Sequence, residues 1–295
     1  MAISPSHRFG QIIGEVFENA IEPVLQRFAD KHKLYLDKKG LRKARRGKKA
    51  SWTDRYGNTH DLDFVFERGG SDEKIGTPVA FVEVAWRRYT KHSRNKAQEI
   101  QGAIAPLVET HRHAGPFAGA ILAGVFTNGA LEQLKSQNFA ILYFPYELII
   151  KAFKSVGIDA FYDESTPDAD YAKKVKMWDA FQGKKKITVA RRLLTLNKEG
   201  IEQFVLRLET TVVREIQTIR ILCLHGVGSE LESAEAAIRF IEEYKEEGAS
   251  GSFVRFEIEV RYKNGDKIAG EFQTKDTAIN FLQAFRILPP TLITS

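Results

Sequence analysis

An α/β fold with a mixed sheet follows from three features of the chain. Apolar residues recur at helical spacing over 9–33, short alternating or wholly apolar runs read as strands, and the two kinds of segment interleave. At 295 residues the chain exceeds what one small core needs, so a main domain over 1–186 and a smaller C-terminal α/β domain over 187–295 are expected, joined at the linker-like Gly183-Lys-Lys-Lys186. With 43% hydrophobic and 28% charged residues the composition is that of a soluble globular protein. No apolar run reaches membrane-spanning length and MAISPSHRFG lacks an apolar signal core, so a cytoplasmic location and no membrane partner are expected. Cys223 stands alone, which excludes an intramolecular disulfide and a thiolate metal cluster.

The first helix carries Ile12, Ile13, Val16, Phe17, Ala20, Ile21, Val24, Leu25 and Phe28 on one stripe, with Glu15, Glu18 and Glu22 at its border and Pro23 inside it. Lys38–Lys49, KKGLRKARRGKK, then places eight cations in twelve residues with no acid, more than the net charge of +6 of the whole protein. A tract this dense repels itself and stays mobile until it meets a polyanion, whose released counterions drive a salt-sensitive association. Lys38, Lys39, Arg42, Lys43, Arg45, Arg46, Lys48 and Lys49 are therefore expected to form a DNA-contacting arm, beside Trp52 and Tyr56.

Three strands are expected next, near 51–56, 60–67 and 79–87, the first two joined by the turn Tyr56-Gly-Asn-Thr59. Trp86, Arg87 and Arg88 close the third. A helix to about Thr110 follows, capped by Thr90 or Ser93 and carrying Lys91, His92, Arg94 and Lys96 near its start, cations placed to reach phosphates. Phe117–Phe126 reads as a buried strand, Asn128–Gln137 as a short helix, Phe139–Phe144 as another strand and Tyr146–Val156 as a helix started by Pro145. Polar sequence leads through a helical 171–181 to a helical 187–213. The remainder, strand 219–224, helix 233–246, a strand pair about Asn264-Gly265 and helix 277–285, reads as a β-α-β-β-α unit. Within it His225-Gly-Val-Gly-Ser229 matches no phosphate-binding or nucleophile-elbow pattern and is expected to be a strand-to-helix turn.

The chemistry concentrates in the second and third strands. If their hairpin is symmetric about residue 73, paired positions sum to about 146, so Asp63 faces Glu83, and Asp61 lies two residues further along on the same side, opposite Ala85. Like charges placed opposite each other cost stability, and a divalent cation offsets that cost. Two carboxylates with several retained waters suit Mg2+ bound together with phosphates, and such an ion activates water and steadies a leaving oxygen. The bland reading of the same acids is a solvent-facing Asp61 and Asp63 and a Glu83 paired with an arginine.

These residues resemble the PD-(D/E)XK nucleases, in particular type II restriction endonucleases. The resemblance covers roughly residues 9–157 and rests on Asp63, on Glu83-Val-Ala85 in the next strand, and on the flanking helices. It implies a restriction-endonuclease-like core of helix, three strands, helix, strand, helix, strand. It also implies Mg2+ held by Asp63 and Glu83 with help from Glu18 or Glu22, and sequence-specific cleavage of double-stranded DNA by a homodimer. Ala85 falls where the family has its catalytic lysine. Either a lysine was replaced there to disable cleavage, the preferred explanation because the neighbouring residues fit the motif, or its role has moved to Lys91 or Lys96 in the following helix. A nuclease fold reduced to DNA binding, and a branched-DNA or repair nuclease, are the alternatives the resemblance leaves open.

Overall fold

The computed structural model describes residues 4–89, 93–163, 165–224, 227–245 and 253–285. The chain forms two compact units: one runs through Thr110 and resumes over Pro116–Val212, the other takes His111–Gly115 and the chain from Val213 onward. The boundary expected at 186/187 is thus displaced. The two helices after Gly183 bury Val189, Leu193, Phe204 and Leu208 in the core of the first unit, and this packing assigns them there.

The first unit begins with α1 (Pro5–Lys31). Ser4 caps it by accepting the His7 N–H at 3.3 Å, and Pro5 sits in the first turn, where a missing N–H costs nothing. The stripe from Phe9 to Phe28 is buried as its periodicity predicts. There follow β1 (Leu34–Lys38), β2 (Ala50–Thr53), β3 (Thr59–Leu62), β4 (Phe64–Arg68), β5 (Thr77–Arg87), α2 (Ser93–Thr110), β6 (Phe117–Gly124), α3 (Asn128–Ser136), β7 (Ala140–Pro145), α4 (Tyr146–Lys154), α5 (Asp168–Asp179), α6 (Gly183–Leu196) and α7 (Lys198–Val212). Among the described residues the main sheet has the order β1-β4-β5-β6-β7, antiparallel through β5 and parallel beyond it. This is the mixed α/β sheet expected from the sequence.

Both faces of the sheet are covered. Phe64, Phe66 and Val82 pack with the α1 stripe, whereas Val65, Phe81 and Ala85 pack with Ile100, Ile104 and Leu107 of α2 and Leu134 of α3. Strands buried on two sides need apolar residues at successive positions, which is why β5 and β6 read as continuous apolar runs. Two details depart from expectation. β1, not seen in the sequence, takes the edge beside β4, and the expected strand 60–67 is broken at Asp63, so β3 pairs with β2 in a separate hairpin while β4 belongs to the main sheet.

The second unit contains β8 (Ile216–Cys223), β9 (Val227–Leu231), α8 (Ala234–Glu243), β10 (Phe256–Tyr262), β11 (Lys267–Phe272) and α9 (Lys275–Gln283). Its antiparallel order is β11-β10-β8-β9. Of the stretch read as a strand-to-helix turn, 227–229 lie within β9 while His225 and Gly226 fall outside the described residues, and the unit is two β-β-α repeats. Ser233 and Thr274 cap the two helices in the same way, and Ala237, Ile238 and Phe240 of α8 correspond to Ala278, Ile279 and Phe281 of α9. Cys223 is buried in this core. No helix among the described residues is long and apolar enough to cross a membrane.

Candidate metal-binding site at the fork between β4 and β5

β4 pairs with β5 as Phe64 with Val82 and Val65 with Phe81, the register expected from a symmetric hairpin. One step beyond the last pair stand Asp63 and Glu83. The chain leaves the main sheet there, toward β3, while β5 continues to Arg87 with β6 as its ladder partner. The two acids sit at this fork and hold each other through backbone groups: the Asp63 N–H donates to Glu83 Oε1 at 3.2 Å and the Val84 N–H donates to Asp63 Oδ2 at 2.8 Å. Each side chain is thereby oriented, with Asp63 Oδ1 and Glu83 Oε2 left without a hydrogen-bond donor among the described residues.

The electrostatics are those of an under-neutralised site. Burial, and then the charge of Asp63, push the Glu83 carboxyl up to about 8, against the nearby Lys96 ammonium and the Asp63 N–H. Burial raises Asp63 as well, opposed by the Val84 N–H, Lys96 and Lys39. Glu18 of α1 is the third acid to feel the pair. Partial burial and then Asp63 raise it, and Lys39 opposes the rise.

Lys96 reaches the pair from α2. Its Nζ lies 3.9 Å from Glu83 Oε2 and 3.3 Å from Glu99 Oε2, and the side chain is 19% exposed. Ala85, two residues beyond Glu83 on the same face of β5, is buried in the cluster with Phe81, Ala97 and Leu122. Of the two positions weighed for the lysine, Lys96 is therefore beside the acids and Lys91 lies outside the described residues, as does His92.

Several expected site residues are engaged elsewhere. Asp61 faces Ser51 across the β2–β3 hairpin and accepts from Lys49 Nζ at 2.5 Å and Ser51 Oγ at 2.6 Å, because the break at Asp63 detaches β3 from the main sheet. Glu22, one turn after Glu18, is ion-paired with Lys38. The basic tract is not a free arm. Arg42 is buried and bonds Glu67 through both terminal nitrogens at 2.5 and 2.9 Å, and it also meets Asp37 at 3.1 Å and two backbone carbonyls. Arg45 binds Asp37 and the carbonyls of Gly47 and Lys38, and Lys43 pairs with Glu73 at 3.0 Å. The repulsion foreseen in the tract is absorbed by acids that lie outside it. Lys39, Arg46 and Lys48 form no ion pair among the described residues. Trp86 packs on Tyr146, and Arg88 donates to Tyr171 and lies over the Tyr162 ring, but both are half-buried and also border the cleft beside Glu18. Arg94 is exposed.

Beside Glu18 opens a cleft of about 970 Å³, bordered by Lys39, Arg87, Asn95 and Glu99 and closed at one side by the start of α1. The sequence offers Glu99, together with Gln98, as a group able to support the metal ligands from the helix that follows the acidic strand. Its signal is the spacing of Lys96 and Glu99 on one helical turn, which is common on solvated helices. Gly124, the last residue of β6, pairs with Arg87 at the end of β5. Its φ of 95° and its close approach to the Arg87 carbonyl exclude a side chain there.

The described residues hold no ready-made cage of three or more His, Cys, Asp or Glu side chains. What they hold is a pair of oriented carboxylates, each with one oxygen to offer, and this donor set fits a hard cation that keeps most of its waters, as Mg2+ does. No family model matches the chain and no curated protein matches it. A solved structure of a protein of unknown function, AF1548, is similar over 64% of this chain and 99% of its own length, at 10% identity and a TM-score of 0.28, a likeness too low to carry an argument.

Proposed function

We propose that this chain is a Mg2+-dependent DNA endonuclease of the PD-(D/E)XK type, acting on double-stranded DNA at specific sequences, as a homodimer in the cytoplasm. The observation that supports the reading is the buried, mutually oriented pair Asp63 and Glu83 with the Lys96 ammonium beside it. Leaving two such acids under-neutralised costs stability, and a cation is what repays it. When bound, such an ion would supply Lewis-acid polarisation of a phosphate and a water of lowered pKa.

The chain's own residues do the rest. Asp63 and Glu83 would hold the ion, their carboxylates oriented by the Val84 and Asp63 N–H groups, with Glu18 on α1 as the third acid near them. Lys96 orients the water and offsets charge on the phosphate, the task a lysine at position 85 performs in the family. The buried seat of Ala85 and the reach of Lys96 favour a migrated lysine over an engineered loss at 85. Arg87, Lys39, Arg46 and Lys48 contact backbone phosphates.

Plasmid cleavage tests the reading. The unmodified chain is expected to give discrete fragments with Mg2+ and none with EDTA, and Lys96→Met to slow cleavage by about 10²–10⁴. Cleavage seen only after Ala85→Lys returns the lysine to position 85. DNA retention at low salt with no cleavage by any variant replaces the nuclease with a binding module, and preference for four-way junctions over duplex makes it a branched-DNA nuclease.

A further inference from the structure

The charges beside the acid pair form an alternating chain. Arg87 Nη2 lies 3.6 Å from Glu99 Oε2, the same oxygen is 3.3 Å from Lys96 Nζ, and that ammonium is 3.9 Å from Glu83 Oε2. Arg87 is itself held, donating to the Trp86 carbonyl at 3.0 Å. Glu99 is 59% exposed and borders the cleft, whereas Glu83 is 10% exposed. Lys96 thus stands between a buried carboxylate and a wetter one, and it sits closer to the wetter one.

That placement matters because an ammonium and a divalent cation compete for the same Glu83 oxygen. Resting on the proposed nuclease reading, we propose that Glu99 is a positioning residue. Anchored by Arg87 at the cleft wall, it draws the Lys96 ammonium off Glu83, leaving that carboxylate open to a cation while the ammonium stays within reach of a phosphate. Removing the Glu99 charge leaves the acid pair as the anionic neighbour of Lys96, and the ammonium settles on Glu83.

Calorimetric titration of Mn2+ into the full chain, with no DNA present, reads this directly. Glu99→Gln is expected to weaken Mn2+ binding about two- to fivefold, the range of a single partly solvated ion pair. Lys96→Met removes the competitor, so Glu99→Gln added to Lys96→Met is expected to change the affinity by less than half as much. An equal loss in both backgrounds means that Glu99 acts on the ion by its charge alone, and an unchanged affinity in Glu99→Gln means that it does not act at all. Either result overturns the positioning role. Asp63→Asn separates this from the underlying reading: Mn2+ binding that is absent in the parent chain, or indifferent to Asp63→Asn, sinks the metal site itself and the role of Glu99 with it. Thermal melting of each variant confirms that the exposed Glu99 can be changed without unfolding.

Discussion

β4 carries an acid cluster at each end, and the two are built on opposite principles. At one end Glu67 is fully buried and every charge around it is matched: Arg42 grips it with two bonds, Gly76 N–H adds a third at 2.6 Å, and Asp37 is shared between Arg42 and Arg45. At the other end Asp63 and Glu83 face the Lys96 ammonium, which Glu99 also claims, and Lys39 acts on Asp63 only from beyond ion-pair distance. The Glu67 carboxyl has no oxygen to spare, while each acid at the fork keeps one. Saturated clusters hold a fold together, and under-neutralised ones are available to bind something.

The sharpest way to break this contrast is to remove one acid from the fork. Asp63→Asn is expected to lower Mg2+-dependent cleavage by at least about a thousandfold while leaving the folded chain intact, as gel assays and melting together will show. Cleavage that survives Asp63→Asn would end the functional half of the comparison. The opposite behaviour is expected at the saturated end. Arg42→Met strands Glu67 in the interior, leaves Asp37 to Arg45 alone, and is expected to cost about 3–5 kcal/mol in urea unfolding. A cost near that of an exposed ion pair would show that the cluster is not the brace it looks like.

The pH dependence of the metal-free chain separates the two ends further. Glu83 has its folded-state value raised from 4.5 to about 8, so it contributes stability that is complete below 4.5 and is lost as pH rises through 8. In EDTA, melting temperatures are expected to fall between pH 5 and 8.5, by an amount worth more than about 1 kcal/mol, and Glu83→Gln is expected to flatten that slope. A slope unchanged by Glu83→Gln would place the titrating group elsewhere. The smallest effect concerns the basic tract. Charge removal at Lys39, Arg46 or Lys48 is expected to reduce the salt slope of DNA binding by about one per residue, whereas Lys49→Ala, whose charge is spent on Asp61, should change it less. Equal slopes for all four would restore the view of the tract as an undivided polycation.

The register of the acid hairpin was legible because alternation and loop symmetry are local, and so the pairing of Asp63 with Glu83 could be read from the chain. The fate of Asp61 could not, because it depends on a strand break at Asp63 that leaves the alternation of polar and apolar residues intact. The mobility expected of the tract 38–49 fails for a different reason. Its partners Asp37, Glu67, Asp72 and Glu73 are mostly distant in sequence, and charge counted along a chain cannot see neutralisation across a sheet. Lys96 was legible as one of two substitutes for a missing lysine, since the first turn of a helix after β5 points back to the strand's end. β9 was hidden by Gly226 and Gly228, which look like a turn when the hairpin partner β8 is not considered, and with β9 hidden the duplication in the second unit was hidden too.

One strand spans the distance between the two clusters. From Asp63 to Glu67 the extended chain covers only about 13 Å, and β4 is stitched to β1 on one side and β5 on the other. The Arg42 end is therefore a foundation for the Asp63 end in a mechanical sense: slack introduced at the anchored end is transmitted along a stiff rod to the acids. Damage there would be felt as a loss of aim, with the site chemically complete and its two carboxylates no longer held in register.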